Sequence, residues 1–282
     1  MTPVALATCA EVAEGDEDSP ALVRALAVRG VEARPAVWDD ASVDWAGFDL
    51  VVVRSTWDYA ERRDVFLAWA AGLPRVLNEV DVLRWNTDKR YLGQLEAAGV
   101  AVVPTRFLAP GEPFEAPDGR FVVKPAVSAG ARHSARYEPG QAADARAHVA
   151  RLHGLGRAVM VQPYLDGVET HGETGLVYIG GSYSHAVRKA ALLLAGQPPG
   201  EALYLEEQVE RARPSEAECA VAEAALRVAP EGLLYARVDL VPGLDGPVVL
   251  EIELTEPSLW LGYADGAAER FADAIAAAVA RR

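Results

Sequence analysis

Apolar positions along the chain fall into short runs separated by polar, glycine- or proline-bearing breaks, the spacing of a mixed α/β protein. "PVALAT" (3–8) predicts a first strand. Ser19 as N-cap, Pro20 at the first helical position and Gly30 just past the end predict the helix that follows. "FDLVVVRSTWDY" (48–59) predicts a buried, β-branched strand ending in a polar and aromatic cluster. This β-α-β opening implies a small parallel sheet, whose ligand crevice lies at the carboxyl ends of its strands. "NTDKRYLGQLEAAGV" predicts a helix capped by Asn86 or Thr87 and closed by Gly99.

The remaining pattern mixes hairpins with helices, so the C-terminal part is expected to be α+β. Strands are expected in "VAVVPTRFL", "RFVVKP" and "AVMVQPYL", with a helix through "QAADARAHVARLHGLG" between the last two. "TGLVYIGGSYSHAVRK" predicts a hairpin around Gly180-Gly181. Ser215 and Glu218 form a capping box opening the helix "SEAECAVAEAALRVA". "LLYARVDLV" and "PVVLEIEL" predict a last hairpin turning through "PGLDG". Phe271, Ile275 and Val279 recur at i, i+4, i+8 and give the C-terminal helix a core-facing stripe.

One strand breaks the rule that buried faces are apolar. Glu251 and Glu253 are two apart in "VVLEIELTEPSLWL", so they share a face on a strand while Ile252 and Leu254 take the other. Neighbouring like charges repel, and burying either one unpaired is costly. Folding the hairpin about Leu244-Asp245 brings Asp239 opposite residues 249–251, with Arg237 on the same face. Three carboxylates, Asp239, Glu251 and Glu253, can then converge. Hard oxygen ligands of this kind suit Mg²⁺, which takes one or two carboxylates together with substrate phosphates.

Composition narrows the chemistry. The chain has 282 residues, half of them hydrophobic, and carries a net charge of −14. That charge argues against a nucleic-acid or anionic-membrane surface, so any phosphate compound must meet a local cluster of cations. No apolar run approaches the roughly 18 residues of a membrane span, and the N-terminus lacks a basic start and reads as no secretion signal. Cys9 and Cys219 show neither metal spacing nor a disulfide framework, which fits a reducing cytoplasm. Of 27 basic residues only three are lysine, Lys89, Lys124 and Lys189. In a chain so biased to arginine, these are candidates for places that need a compact ammonium.

Two of these contexts suggest a nucleotide. Lys124 ends a hydrophobic strand and precedes the small-residue loop Ser128-Ala129-Gly130, which can present backbone N–H groups to phosphate oxygens. The pattern is neither a Walker A loop nor a Rossmann fingerprint. "AVMVQPYL" runs into Gln162-Pro163-Tyr164-Leu165, an extended segment able to read an adenine edge, with Glu169 and Glu173 at distances suited to a ribose.

In order as well as type, these pieces resemble the ATP-grasp superfamily over residues 86–261. Lys89 in "NTDKR" matches the family's first lysine, Lys124 and "SAG" its second lysine and glycine-containing loop, and "VQPYL" its hinge. Glu173 in "HGETGLV" matches the ribose acid, with Glu169 as the competing assignment. Arg188 or Lys189 in "SHAVRK" matches the later phosphate-binding base, and Asp239, Glu251 and Glu253 match the Mg²⁺ acids. Two departures stand out: one glycine where several members carry a richer run, and Glu253 where many have Asn. "RSTWDY", "QPYL", "SHAVRK" and "EPSL" together look most like the bacterial subgroup that includes the cyclo-ligase of D-cycloserine biosynthesis.

The resemblance implies an α/β ATP-grasp fold: an N-terminal β-α-β domain (1–85), a small lid subdomain (86–165) and a C-terminal subdomain with the metal site (166–282). It implies a cytoplasmic carboxylate–amine ligase that uses ATP and Mg²⁺, with two ions and Mn²⁺ as an alternative metal. The substrate would be a small amino-acid-like molecule, and an acyl phosphate the intermediate. Lys124, Lys189 or Arg188, and Arg237 would offset the negative charge, and the loop after Lys124 would close over the nucleotide. The substrate is expected between "RSTWDY" (Arg54, Ser55, Thr56, Asp58) and "TEPS". Arg54 or Arg237 would hold a carboxylate there, and Glu256 or Ser258 an amino group. A small-molecule kinase and a non-catalytic ATP-binding module remain open, as does a homo-oligomer.

Overall fold

The computed structural model describes residues 2–193, 196–203 and 207–281. Strands β1 (Thr2–Thr8), β2 (Val31–Val37), β3 (Leu50–Ser55) and β4 (Val76–Leu77) form a parallel sheet in the order β2-β1-β3-β4. Helices α1 (Ser19–Val28) and α2 (Arg63–Ala71) accompany it. Every residue of β3 is buried, as its unbroken apolar run predicts. β2 was not anticipated: "VEARPAV" alternates charge with small apolar residues around Pro35, a pattern tolerated because the strand lies at the sheet edge. The first helix begins at Ser19, preceded by Asp18, and the Ser19 hydroxyl donates to Asp16 Oδ1 (2.7 Å) instead of capping the helix.

The helix expected after an Asn86 or Thr87 cap begins only at Tyr91, as α4 (Tyr91–Ala97), and an unanticipated helix α3 (Val80–Asn86) precedes it. The break has a cause. Asn86 donates to Ile252 O (2.7 Å) and accepts from Leu254 N (2.8 Å), while Lys89 N–H reaches Ala126 O (2.8 Å). The Asn86 side chain ties the end of α3 to β13, and the Lys89 amide that a continuing helix would use is committed to Ala126 O.

A second, antiparallel sheet follows, ordered β5-β8-β6-β7 from β5 (Arg106–Leu108), β6 (Phe121–Pro125), β7 (Ala135–Tyr137) and β8 (Val159–Pro163). Helix α5 (Ala142–Gly154) packs on it through Ala145, Val149 and Leu152. After the short α6 (Gly167–His171), the third sheet contains β9 (Glu173–Ile179), β10 (Ser182–Lys189), β11 (Val209–Ala212), β12 (Tyr235–Pro242) and β13 (Pro247–Glu253). Its order is β11-β10-β9-β12-β13, with all pairs antiparallel. Helix α7 (Glu216–Leu226) opens on the expected Ser215/Glu218 capping box.

Packing crosses the segment boundaries expected from sequence. Val82, Tyr91, Leu92 and Leu95 of α3 and α4 share a core with Leu176, Val238 and Ile252 of the third sheet, and Val102 bridges Val249. Helices α3 and α4 and Val102 therefore pack with the third sheet. The C-terminal helix α8 (Ala267–Ala280) returns to the first sheet: Phe271, Ile275 and Val279 pack with Val4, Leu6, Leu50 and Val52.

Candidate active site

The three sheets face a cavity of about 910 Å³. Its floor is the β12–β13 hairpin, where Asp239 stands opposite Glu251 and Arg237 opposite Glu253. Asp239, Glu251 and Glu253 each offer an oxygen within 4.8 Å of the others. Gly175 on β9 pairs with Asp239, and a Cβ there would meet Asp239 Oδ1 at 3.0 Å. Gly172 has φ +70° and would place a Cβ 2.4 Å from Lys189 O. "GETG" thus owes both glycines to close approach at this floor.

Cations interleave with the acids. Arg237 binds Asp239 in bidentate fashion (2.8 Å to each oxygen), pairs with Glu253, and donates Nη1 to Ser258 O (2.9 Å). Lys189 Nζ lies 2.9 Å from Asp239 Oδ2 and pairs with Glu173. Lys89 Nζ donates to Ser128 O (2.9 Å) and sits 3.3 Å from Glu251 Oε2. Lys124 also lines the cavity, but its ammonium makes no hydrogen bond or ion pair among the described residues.

The electrostatics are unresolved within the protein alone. Burial pushes Glu253 up to about 7 and Glu173 up to about 8, with Arg237 and Lys189 respectively offsetting only part of it. For Glu251 burial acts the same way, yet Lys89 and Lys124 outweigh it and hold the group at about 2. Asp239 is held below the usual carboxylate range because Arg237 and Lys189 outweigh its burial. Lys124 is drawn down by burial, partly offset by Glu251. Crowded carboxylates whose protons are pulled in opposite directions are what a hard dication relieves, so the donor set fits Mg²⁺.

The opposite wall suits a nucleotide. β6 carries Lys124 into the cavity, and Ser128, Ala129 and Gly130 follow it there. Gly130 and Ala131 both take positive φ (58° and 59°), which turns successive backbone N–H groups toward a common concavity. Pro163, Tyr164 and Leu165 line the next stretch, while Gln162 is buried and donates to Thr105 Oγ1 (2.8 Å).

Beyond the carboxylates, Trp57, Tyr59, Glu256, Ser258, Trp260 and Tyr263 close the far end. Trp57 Nε1 donates to Glu256 O (3.0 Å). Burial, then Glu253, drives Glu256 well above the ordinary carboxylate range, and Lys89 and a hydrogen bond from Tyr59 offset this only in part.

A family model for the N-terminal domain of D-cycloserine synthetase DcsG matches residues 4–78. Cycloserine biosynthesis protein DcsG of Streptomyces lavendulae is 42% identical over 297 residues, which span 98% of this chain and 98% of that protein. The chain belongs to the DcsG family. The crystal structure of D-cycloserine synthetase DcsG matches it with a TM-score of 0.89 at 38% identity, over 98% of this chain and 99% of that one. D-alanine–D-alanine ligase from Bacillus anthracis, solved with ATP, matches at a TM-score of 0.69 and 14% identity, over 100% and 98% of the two chains. The fold is the ATP-grasp fold, and this DcsG-family protein is a ligase that forms carbon–nitrogen bonds. No helix among its described residues is long and apolar enough to cross a membrane.

Several sequence-derived candidates do not reach the cavity of this DcsG-family protein. Alternation along β10 sends Lys189 into the cavity and Arg188 to the opposite face, where it donates to His171 O (2.8 Å). Glu169 lies outside the cavity, paired with Arg136, whose guanidinium sits 3.9 Å from the Tyr164 ring centroid. Glu173 does line the cavity, but its carboxylate is engaged by Lys189 beside Asp239.

"RSTWDY" contributes its aromatics and not the polar residues chosen from sequence. Arg54 is buried against Asp16 (2.9 Å), Ser55 shares a hydrogen bond with Thr8 (2.8 Å), and Thr56 is fully buried. Asp58 accepts from Trp38 Nε1 (2.7 Å) and pairs with Arg62 (2.6 Å). The strand end buries Arg54, Ser55 and Thr56, turns the half-buried Asp58 toward Arg62, and leaves Trp57 and Tyr59 facing the cavity. Gly15, Asp16, Glu17, Trp260 and Tyr263 line it as well and went unnoticed in the sequence. The acidic run "EGDED" and the tryptophan in "SLWL" were the available signals.

Proposed function

We propose that this DcsG-family ligase joins a carboxylate to an amine within one small amino-acid-like molecule, as in ring closure of an O-ureidoserine-type substrate, with conversion of ATP to ADP and phosphate. The observation that carries the reading is the Lys124 ammonium, unpaired among the described residues, in one cavity with the Asp239–Glu251–Glu253 cluster. A substrate carboxylate oxygen attacks the γ-phosphorus, the bond to ADP breaks, and an acyl phosphate forms. The amine nitrogen then attacks the acyl carbon, phosphate departs, and the nitrogen loses its proton.

Charge is the obstacle, since both the triphosphate and the carboxylate are anionic. Lys124, Lys89 and Lys189 meet phosphate oxygens, while Arg237, fixed by Asp239 and Ser258 O, orients the reacting carboxylate. Mg²⁺, held by Asp239, Glu251 and Glu253, would neutralise phosphate charge when bound. Glu256 and Ser258 face the amino group, with Trp57 and Tyr59 excluding water around it. Pro163 to Leu165 contact adenine, and Glu173 or a neighbour in its strand meets the ribose.

The test is ADP release across amino-acid substrates, including O-ureidoserine, with mass analysis of the product and a parallel reaction in hydroxylamine. Cyclised product and a hydroxamate trap are expected. A phosphorylated product that resists hydroxylamine would replace the ligase reading with a kinase, and absence of ADP release from every amino-acid carboxylate would leave a binding module.

A further inference from the structure

Asp18 lies behind the cavity wall, yet it controls the segment that forms that wall. Its Oδ2 accepts the Leu259 N–H (3.1 Å) and its Oδ1 the Leu261 N–H (2.6 Å). Between these two amides, Trp260 adopts φ +47° and ψ 50°, a left-handed conformation that a bulky side chain rarely takes unaided. The same tryptophan ring lies 4.6 Å from the Arg237 guanidinium and 5.7 Å from Lys189 Nζ. An aromatic face so placed attracts both cations and limits their reorientation.

The carboxylate is itself braced. Arg54, buried at the end of β3, approaches Asp16 at 2.9 Å and Asp18 at 3.7 Å, and packs against the rings of Tyr235 and Phe271. Tyr235 donates its hydroxyl to Thr255 O (2.8 Å), so the first domain and its neighbours hold both ends of residues 255–261. A segment fixed only for stability would satisfy its amides by extending a strand, with no left-handed residue. This one spends a buried carboxylate on a turn that presents Glu256, Ser258 and Trp260 to the cavity.

We propose that Asp18, braced by Arg54, is a positioning residue that clamps the Leu259 and Leu261 amides and so sets Trp260 over Arg237 and Lys189. The inference rests on the ligase reading for its kinetic consequence, but not for its structural one. Asp18→Asn exchanges one acceptor for a donor facing a backbone N–H. It is expected to lower kcat by about 10- to 100-fold while leaving KM for ATP within about twofold, because the adenine wall is untouched. In a Trp260→Gly background the same change is expected to add little, since glycine takes the left-handed turn freely and the aromatic cover is already gone.

Additive losses in that double-mutant cycle would overturn the proposal. Amide hydrogen exchange at Leu259 and Leu261 should accelerate in Asp18→Asn relative to flanking strands, and unchanged exchange would also overturn it. That readout does not need turnover, so a wild-type protein without ADP release would sink the ligase reading and leave the clamp testable. Where Asp18→Asn does not fold, Trp260→Phe should recover most of the kcat that Trp260→Gly loses. Equal activity of the Phe and Gly variants would count against the clamp.

Discussion

Two buried charge clusters behave in opposite ways. In the Arg54–Asp16–Asp18 cluster the acids close onto nearby donors: Asp16 takes the Ser19 hydroxyl and Arg54, and Asp18 takes two backbone amides. In the cluster on β12 and β13 the carboxylates crowd one another, Glu251 is held at about 2 while Glu253 rises to about 7, and Lys124 has no partner among the described residues. Burial of charge alone therefore does not mark a functional site. What marks it is where the unsatisfied groups sit: Arg54 Nε and Nη1 are enclosed in packed protein, whereas Lys124, Glu251 and Glu253 line the 910 Å³ cavity, which Asp16 also reaches.

The largest expected effect breaks the second cluster. Glu251→Gln should cut ADP formation by about 10³-fold with the melting temperature little changed, because the like-charge crowding falls as the ligand is lost. Lys124→Ala should match it. Full turnover in either variant, measured by coupled ADP release, removes these residues from the proposed site. The counterpart, Arg54→Met, should cost about 3–5 kcal/mol of stability in urea unfolding, since it strands two buried carboxylates.

Metal and nucleotide sharpen the same contrast with a smaller effect. Mg²⁺–ATP at about 100 times its Kd should stabilise the wild-type protein by about 2.7 kcal/mol. Chelation should remove that gain, and Glu253→Gln should blunt it, whereas a substitution at Asp16 should leave the increment intact in differential scanning calorimetry. An increment that survives Glu253→Gln undiminished would argue that Glu253 stays with Arg237 when ligand binds.

The contrast also explains what the sequence revealed. That Asp239 comes opposite residues 249–251 was legible from one turn, but its pairing with Glu251 depends on a bulge between Asp239 and Leu240 that the sequence does not reveal. The capping box and the α8 stripe were legible because they are local. Arg54 was misjudged because "RSTWDY" shows a polar cluster at a strand end but not which side chains turn inward. That depends on Asp16, 38 residues earlier in the chain. The choice between Arg188 and Lys189 likewise needed the strand's facing, which the neighbouring β9 and β11 determine. Trp260 in "SLWL" was a signal left unused, because its left-handed turn depends on Asp18, more than 240 residues earlier in the chain.

Acid behaviour separates helix α5, on the second sheet, from the start of α1, on the first. His148 on α5 lies 2.9 Å from the Tyr137 hydroxyl, and burial, then Arg151, lowers it to about 4. Between about 4 and 6.5 the unfolded chain binds the extra proton, so this group's contribution is complete above 6.5 and is lost as pH falls, on the order of 2–3 kcal/mol. Asp18 has the opposite sign: burial, then Asp16, raises it to about 6, so its contribution is complete below about 4 and is lost as pH rises through 6. His148→Asn should therefore flatten the acid side of the stability profile, with α5 amides losing their excess exchange below pH 6. An unchanged profile would mean that His148 is already charged in the folded protein.

The smallest effect is the most discriminating for strand facing. Arg188 and Lys189 are adjacent and both basic, and the sequence resemblance could not choose between them. Lys189 sits between Glu173 and Asp239, whereas Arg188 extends to His171 O on the other face. Arg188→Ala should change stability by no more than about 0.5 kcal/mol and leave kcat and both KM values within about twofold. Lys189→Met should abolish turnover, since it leaves Asp239 and Glu173 without their shared counter-ion. A large loss of kcat in Arg188→Ala would show that β10 can present its other face to the nucleotide, and would place Arg188 back among the phosphate-binding residues.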